Sequence, residues 1–486
     1  MTEVAEHPDV LRRAGFAVVA LGASELLGKV ATFLTLLLLA RLLGVAEFGV
    51  FSFGLSLGLL LAVLSSLDLD ERVVQIGSAR PELLDRCYGA LIAIRAVLSV
   101  VVMAATTVVV FEMMNLDDAS AVFYLVAACL LDTFSDAARA ACGARQRQEL
   151  SAVVLVVQRF SALGLSVGAL VVSRDGELAA LGYLVATAVG VAAMQVAARR
   201  AGARPRIRGS MPEIRMVVRA APVTALDSIA SMGVFRLDAA LIGVLIGTNA
   251  VGVYGASYRI FESVLFVSWT LSRAYVPVVA SRPDDPEHMR AWAQRSLVVV
   301  CAAYLPYGVV LALRGEDLVS LLFGQAYVDR GLLLGLAAAP LFFGIAHLSA
   351  SMLLALRPDP VVGLASVAAL VLNVGLNLWL IPVWGLTAAA VATTLAFLLR
   401  ALIVTTALTR ITGTIVAVRP LAVVVVAAAV TGVVVEAVPS VALALPAAAA
   451  VFLVLWVLGS RWIDPAGFAE LVAKVRGRRV PAGPAR

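Results

Sequence analysis

Seven of the 38 basic residues, Lys29, Arg95, Arg159, Arg236, Arg259, Arg273 and Arg400, fall inside long apolar runs, accompanied by acids at helical spacing. Glu25 and Lys29 are four residues apart, and Asp132, Asp136 and Arg139 share one helical face by their spacing. Arg236 with Asp238, and Arg259 with Glu262, occupy consecutive runs at comparable depth. A charge at mid-bilayer costs at least about 2.5–3.5 kcal/mol on insertion scales, so such residues persist where they face a wet cavity or one another. Guanidinium suits an anionic cargo, because its rigid fork grips oxygen pairs and sheds water more readily than ammonium. Arg259, Arg236, Lys29, Arg95 and Arg159 are therefore candidate substrate contacts, and Glu25, Asp227, Asp238 and Glu262 candidates for ion coupling or charge pairing. Bland readings stand beside these. Glu25 and Lys29 serve equally as an internal salt bridge, the Asp132 stripe as a partly solvated structural cluster, and Asp227, beside Ser228 and Ser231, as a packing residue. Arg273 and Arg400 are expected near inner ends of spans, where they snorkel. Asn373 and Asn377 read as interhelical glue.

The elements that position these charges are membrane spans. Of 486 residues, 62% are hydrophobic and 14% charged, and the mean hydropathy of +0.98 is more than a water-soluble surface tolerates. Apolar runs of about 20 residues recur along the chain, each long enough to cross a hydrocarbon core roughly 30 Å thick, leaving no room for a sizeable soluble domain. Lipid offers no partner for bare backbone groups, so the spans must be helices. The fold class is all-α and integral to the membrane, with about 14 helices expected near 15–40, 48–66, 88–111, 119–141, 151–172, 178–197, 220–246, 251–279, 297–313, 331–355, 360–380, 386–409, 418–437 and 441–459. The first run is too long for a signal-peptide core and lacks a small-residue cleavage site, so it is expected to be retained.

Orientation follows from the arginines. With the N-terminus in the cytoplasm, connections on the inner side carry 27 Lys and Arg and those on the outer side 4, namely Arg41, Arg174, Arg314 and Arg330. One missed span would exchange the sides of everything after it. Both termini are therefore expected in the cytoplasm of a bacterial inner membrane. The tail from Ser460, with Phe468, Leu471, Val472 and Val475 ahead of clustered basic residues, reads as a positive-inside tail or as a short amphipathic helix on the inner leaflet.

The chain also repeats itself. LARLLGVAEFGVFSF from Leu39 aligns without gaps on IGVLIGTNAVGVYGA from Ile242, a constant offset of 203 residues. Gly44 matches Gly247, Gly49 matches Gly252, and Phe51 faces Tyr254. Each copy sits at the outer turn between the first two helices of a six-helix unit, the parallel-repeat geometry of transporters that rock two halves about a central site. The expected organisation is a six-helix bundle over 1–198, a cytoplasmic linker over 199–219, a second bundle over 220–415, two appended helices over 416–460 and a basic tail over 461–486. By the offset, Arg236, Asp238, Arg259 and Glu262 correspond to Phe33, Thr35, Ser56 and Leu59, so the fold itself does not demand charge there.

ARLLGVAEFGVFSFGLSL from Ala40, FRLDAALIGVLIGTNAVGVYGASYRIFE from Phe235 to Glu262 with the following Arg273, and the plan of two bundles plus two helices resemble lipid-linked oligosaccharide flippases of the polysaccharide-transport type. Their superfamily also holds multidrug-and-toxin antiporters and the lipid II flippase. The resemblance implies movement of an undecaprenyl-diphosphate-linked oligosaccharide, or a similar lipid-linked saccharide, from the inner to the outer leaflet by alternating access, for cell-surface polysaccharide synthesis. Arg259, within the matching YRIFE stretch, is the leading phosphate contact. A multidrug or cation antiporter is the alternative, and a membrane glycosyltransferase or polymerase a further one. Catalysis would call for an extramembrane domain or a long acidic outer loop, whereas the outer segment from Arg314 to Arg330 offers only Glu316, Asp317 and Asp329.

GASELLGK from Gly22 fails as a phosphate-binding loop, since its glycine spacing is one too long and Val30 stands where Ser or Thr would hold magnesium. No ATPase or other cofactor is expected. The four scattered cysteines and three histidines have no metal-site spacing, and free thiols are expected. The expected partners are the lipid-linked saccharide, membrane lipids and enzymes of cell-envelope glycan synthesis. The net charge of +6 is an orientation signal rather than a sign of nucleic acid.

Overall fold

Apolar sequence with no lipid-tolerable alternative folds here into helix after helix. The computed structural model describes residues 8–207, 212, 213, 215, 216, 222–282, 285–356 and 359–463. In chain order the helices are α1 (Pro8–Ser66), α2 (Asp70–Ala79), α3 (Leu84–Met113), α4 (Leu116–Ala144), α5 (Gln148–Ser173), α6 (Gly176–Arg200), α7 (Pro222–Ile246), α8 (Thr248–Val264), α9 (Phe266–Ala280), α10 (Pro286–Leu322), α11 (Arg330–Leu336), α12 (Ala339–Leu356), α13 (Pro360–Trp384), α14 (Leu386–Thr412), α15 (Val418–Ala437) and α16 (Val441–Ile463). Residues 1–7, Arg357 and the amphipathic stretch proposed beyond Ile463 lie outside the described residues, as does most of 208–221.

Among the described residues, thirteen helical segments are long and apolar enough to cross a membrane, the first of them Gly22–Ala79. Gly44 breaks α1 with φ 78° and ψ 178°, so its arms correspond to the expected first and second spans and bring the crossings to fourteen. Gly247, between α7 and α8, has φ 99°. These two glycines are partners in the 203-residue repeat, and a side chain in the left-handed region costs roughly 1–2 kcal/mol. The same turn is built twice, with the one residue that makes it without strain.

Side-chain caps mark several helix starts. Asn115 accepts from the Asp118 N–H at 2.9 Å, Asp175 from Glu177 at 2.8 Å, Asp285 from His288 at 3.0 Å and Asp329 from Leu332 at 2.8 Å. The expected ninth span stops at residue 313, but α10 runs on to Leu322. Arg314, read as a loop residue, is inside that helix. Its guanidinium donates to the carbonyls of Val435 (3.2 Å) and Val438 (3.0 Å) at the end of α15, so a cation satisfies the orphan acceptors of a helix C-terminus.

By backbone contacts the chain divides into two compact units, Met1–Arg259 with Leu370–Ala389, and Ile260–Ala369 with Ala390–Arg486. In the first, α1 packs against α3, α4, α5 and α6, over a core including Leu69, Leu84, Tyr88, Ala141, Met194 and Ala198. The described start of the linker is pinned to α3: the N–H groups of Arg204 and Arg206 donate to the Asp85 carboxylate (3.0 Å) and carbonyl (2.9 Å). In the second unit, Val300, Tyr304, Ala346, Leu353 and Val404 form the main core. The appended α15 and α16 pack on α10 through Cys301, Ala302, Val424, Ala427 and Phe452. All four cysteines are buried free thiols.

Candidate functional site

The intramembrane charges are met by partners that helical spacing alone did not reveal. Asp132 on α4 accepts from Gln158 Nε2 and from Arg159 Nη2 on α5, each at 2.8 Å. The stem of Arg159 crosses α1 at Gly28, where an added Cβ would lie 3.5 Å from its Cγ. Arg139 lies 3.3 Å from Asp136 on its own helix and 3.7 Å from Glu25 on α1. Lys29 is exposed on the same arm of α1. The Asp132 stripe is thus an interhelical ion-pair ladder tying α1, α4 and α5.

Arg95, expected as a substrate contact, is instead sealed in the protein with a side-chain exposure of 0%. One amino group pairs with Asp70 at the start of α2, and the other donates to the Thr133 carbonyl on α4. It staples α2, α3 and α4. Removing one partner of such a pair leaves the other uncompensated, at a cost of about 3–5 kcal/mol when both are buried. Asp70 keeps a quarter of its side-chain surface, so Arg95→Met is expected to cost about 3 kcal/mol, the low end. The check is the melting temperature of the detergent-solubilised protein; a variant that melts with the parent would remove the staple assignment.

Three of the five candidate cations converge. The charges of Arg159 on α5 and Arg236 on α7 both act on the Cys129 thiol, and those of Arg159 and Arg259 on α8 both act on the Tyr183 hydroxyl on α6. Arg236 and Arg259 are half-buried, so each keeps accessible surface. The second arm of α1 borders this region. Phe51 meets Tyr183 edge-on, with ring centroids 6.2 Å apart, and a Cβ on Gly58 would lie 2.8 Å from Cys129 Sγ. Guanidinium groups from both sequence halves therefore act on neighbouring groups in the first unit. Their chemistry is that of a diphosphate clamp.

Asp238, fully buried on α7, accepts from the Tyr254 hydroxyl (2.9 Å) and from Asn377 Nδ2 on α13 (2.6 Å). One turn earlier on α13, Asn373 is also fully buried, and neither of its amide atoms has a partner among the described residues. Neutral donors from Tyr254 and Asn377 are among the groups that hold this carboxylate, and unused amide capacity at Asn373 stands one turn away on α13: an arrangement able to take up a proton or a monovalent cation. Asn377 is interhelical glue as expected, but its acid partner escaped the sequence reading. Asn373 and Asn377, four apart in an otherwise apolar span, were the available signal.

The remaining candidates are placed as follows. Asp227 is half-buried on α7, and its neighbour Ser228 donates to Asp68 at 2.6 Å, tying α7 to the turn after α1. Glu262 is half-buried on α8. Arg273 is exposed on α9, but Arg400 does not snorkel: it sits near the middle of α14 with 6% exposure, where its charge acts on His347.

The family described as polysaccharide biosynthesis protein matches residues 38–330 of the chain. A probable low-salt glycan biosynthesis flippase of Haloferax volcanii is 24% identical over 33% of this chain and 35% of its own length. A second probable flippase of that organism is 27% identical over 39% of this chain and 41% of its own. The matches thus span about a third to two fifths of these curated relatives. Among solved structures, the lipid II flippase MurJ in an inward closed conformation aligns with a TM-score of 0.75 and 10% identity, covering 93% of this chain and all of that one. An inward-facing multidrug resistance transporter of the MATE family aligns with a TM-score of 0.64 and 13% identity, covering 82% of this chain and 99% of that one. At these identities the structural likeness shows a shared all-helical transporter fold.

Proposed function

The chain belongs to the polysaccharide biosynthesis protein family, and from that premise we propose that it is a flippase carrying a lipid-diphosphate-linked oligosaccharide from the inner to the outer leaflet. The observation that carries this reading is the convergence of Arg159, Arg236 and Arg259 around Cys129 and Tyr183. A diphosphate finds forked guanidinium donors there. Arg259 and Arg236 make the phosphate contacts. Arg159, partly neutralised by Asp132, adds positive potential, as does the exposed Lys29. Asp238 is the coupling acid, and Glu25, Asp227 and Glu262 balance charge.

The moving parts in this reading are the six-helix bundles 1–198 and 220–415, joined by the 199–219 linker, with 416–460 and the basic tail 461–486 appended. The protein works in a bacterial inner membrane with both termini in the cytoplasm, as the 27-to-4 arginine split supports. Enzymes of cell-envelope glycan synthesis supply its cargo. The direct test is reconstitution in vesicles with a fluorescent undecaprenyl-diphosphate saccharide. Faster transfer to the leaflet where an impermeant quencher reaches it, competed by the unlabelled diphosphate lipid and not by a lipophilic cation, is expected; the opposite competition would select the multidrug reading.

A further inference from the structure

The two copies of the repeat do more than resemble one another: they touch, and each touches its own counterpart. A Cβ built on Gly252 would fall 3.3 Å from the Gly49 Cα and against the Val45 carbonyl; one built on Gly49 would fall 3.2 Å from the Gly252 nitrogen and against the Thr248 carbonyl. Under the 203-residue offset Gly49 corresponds to Gly252 and Val45 to Thr248, so the two sets of contacts are the same set reversed. The next turn repeats the relation. Gly255 corresponds to Ser52, and a Cβ on Gly255 would lie 2.9 Å from Ser52 Oγ and 3.1 Å from its Cβ. A residue can meet its own equivalent only on the axis relating the two copies. The second arm of α1 therefore crosses α8 on the repeat's pseudo-twofold axis with its backbone close against the α8 backbone at Gly49 and Gly252.

We propose that this glycine crossing is the outer gate of the translocation path, a proposal that rests on the alternating-access reading and the arginine-derived orientation above. Two helices that meet on the axis of a parallel repeat separate symmetrically when the halves rock apart. Small residues let the backbones close to a seal without interdigitated side chains, so the gate opens without dragging bulky groups past one another. It also lies next to the cationic cluster. Phe51, next to the gate residue Ser52, rests on Tyr183, on which the charges of both Arg159 and Arg259 act. Phe51 and Tyr183 both belong to the 1–198 bundle and move together, so parting the crossing opens the space beside them to the outer side.

Two readouts test this. In the double variant Ser52→Cys with Gly255→Cys, the built separation of 3.1 Å is near the usual disulfide Cβ spacing of about 3.5–4.5 Å. Oxidation is expected to form the bond, verified by peptide mass, and to slow vesicle flipping more than tenfold against the same protein reduced, with recovery on reduction. Failure of the pair to cross-link, or unimpaired flipping by verified cross-linked protein, would overturn the gate. The second readout needs no cargo. Ser56, one turn further in, is 4% exposed, so Ser56→Cys is expected to resist an impermeant maleimide applied from outside. Adding Gly252→Leu as a wedge, at normal membrane level, should raise its labelling at least fivefold; equal labelling with and without the wedge would sink the gate. If labelling follows the wedge while no lipid-linked saccharide is flipped by the parent, the gate stands and the cargo reading falls.

Discussion

Arg259→Ala is expected to abolish glycan export by cells that depend on this protein, while the variant reaches the membrane at the parent level. The diphosphate carries about two negative charges into a place walled by apolar helices, and each guanidinium that meets it supplies forked, charge-assisted hydrogen bonds. Truncating one partner of a buried, hydrogen-bonded charge pair costs about 2–5 kcal/mol, or roughly thirty-fold to several-thousand-fold in cargo occupancy. Arg259 stands at the top of the expected effects because it keeps accessible surface, unlike the sealed Arg95. Arg259→Lys keeps the charge and loses the fork, so it should recover part of the activity. Export and the vesicle assay measure both variants, with membrane level followed by a tag. Normal export by a well-expressed Arg259→Ala would defeat the assignment.

How far the sequence reaches can be seen at individual residues. Fourteen crossings were legible because a lipid solvent leaves hydropathy and helical length as nearly the only variables. The break at Gly44 falls in the gap between the expected spans 15–40 and 48–66, at the outer turn that the repeat shares with Gly247. Charges inside the spans were legible as a set, since each is costly wherever it points. Their partners were not. Spacing pairs residues on one helix, whereas Asp132 with Arg159, Arg95 with Asp70 and Asp238 with Asn377 are pairs across helices. Which faces meet depends on packing, which one sequence does not encode in any local period. Arg95 and Arg259 look alike in the sequence, yet one is a sealed staple and the other keeps open surface. Arg400 misled for another reason: even in the expected span 386–409 it lies nearer the middle than the inner end, and packing buries it there.

Asp238→Asn should separate cargo movement from its driving force. The substitution keeps size and shape, and the hydrogen bonds can re-form: Asn377 presents its carbonyl oxygen to the new amide after a flip, and the Tyr254 hydroxyl still finds an oxygen. The charge is what disappears. If Asp238 takes up a proton or a monovalent cation during the cycle, the variant loses one charge of coupling to the membrane potential. That is worth about 2.3 kcal/mol per 100 mV, roughly fifty-fold in the steady-state ratio of cargo between leaflets. Vesicles carrying the parent are expected to accumulate labelled lipid when a sodium or proton gradient is imposed. Those carrying Asp238→Asn should only equilibrate it, at a rate that responds to neither gradient. The cluster keeps its three guanidinium groups, so competition by unlabelled diphosphate lipid should be preserved in the variant, which distinguishes lost coupling from lost binding. Gradient-driven accumulation by Asp238→Asn at the parent ratio would remove the carboxylate from the coupling step and leave Glu25, Asp227 and Glu262 to be tested in its place.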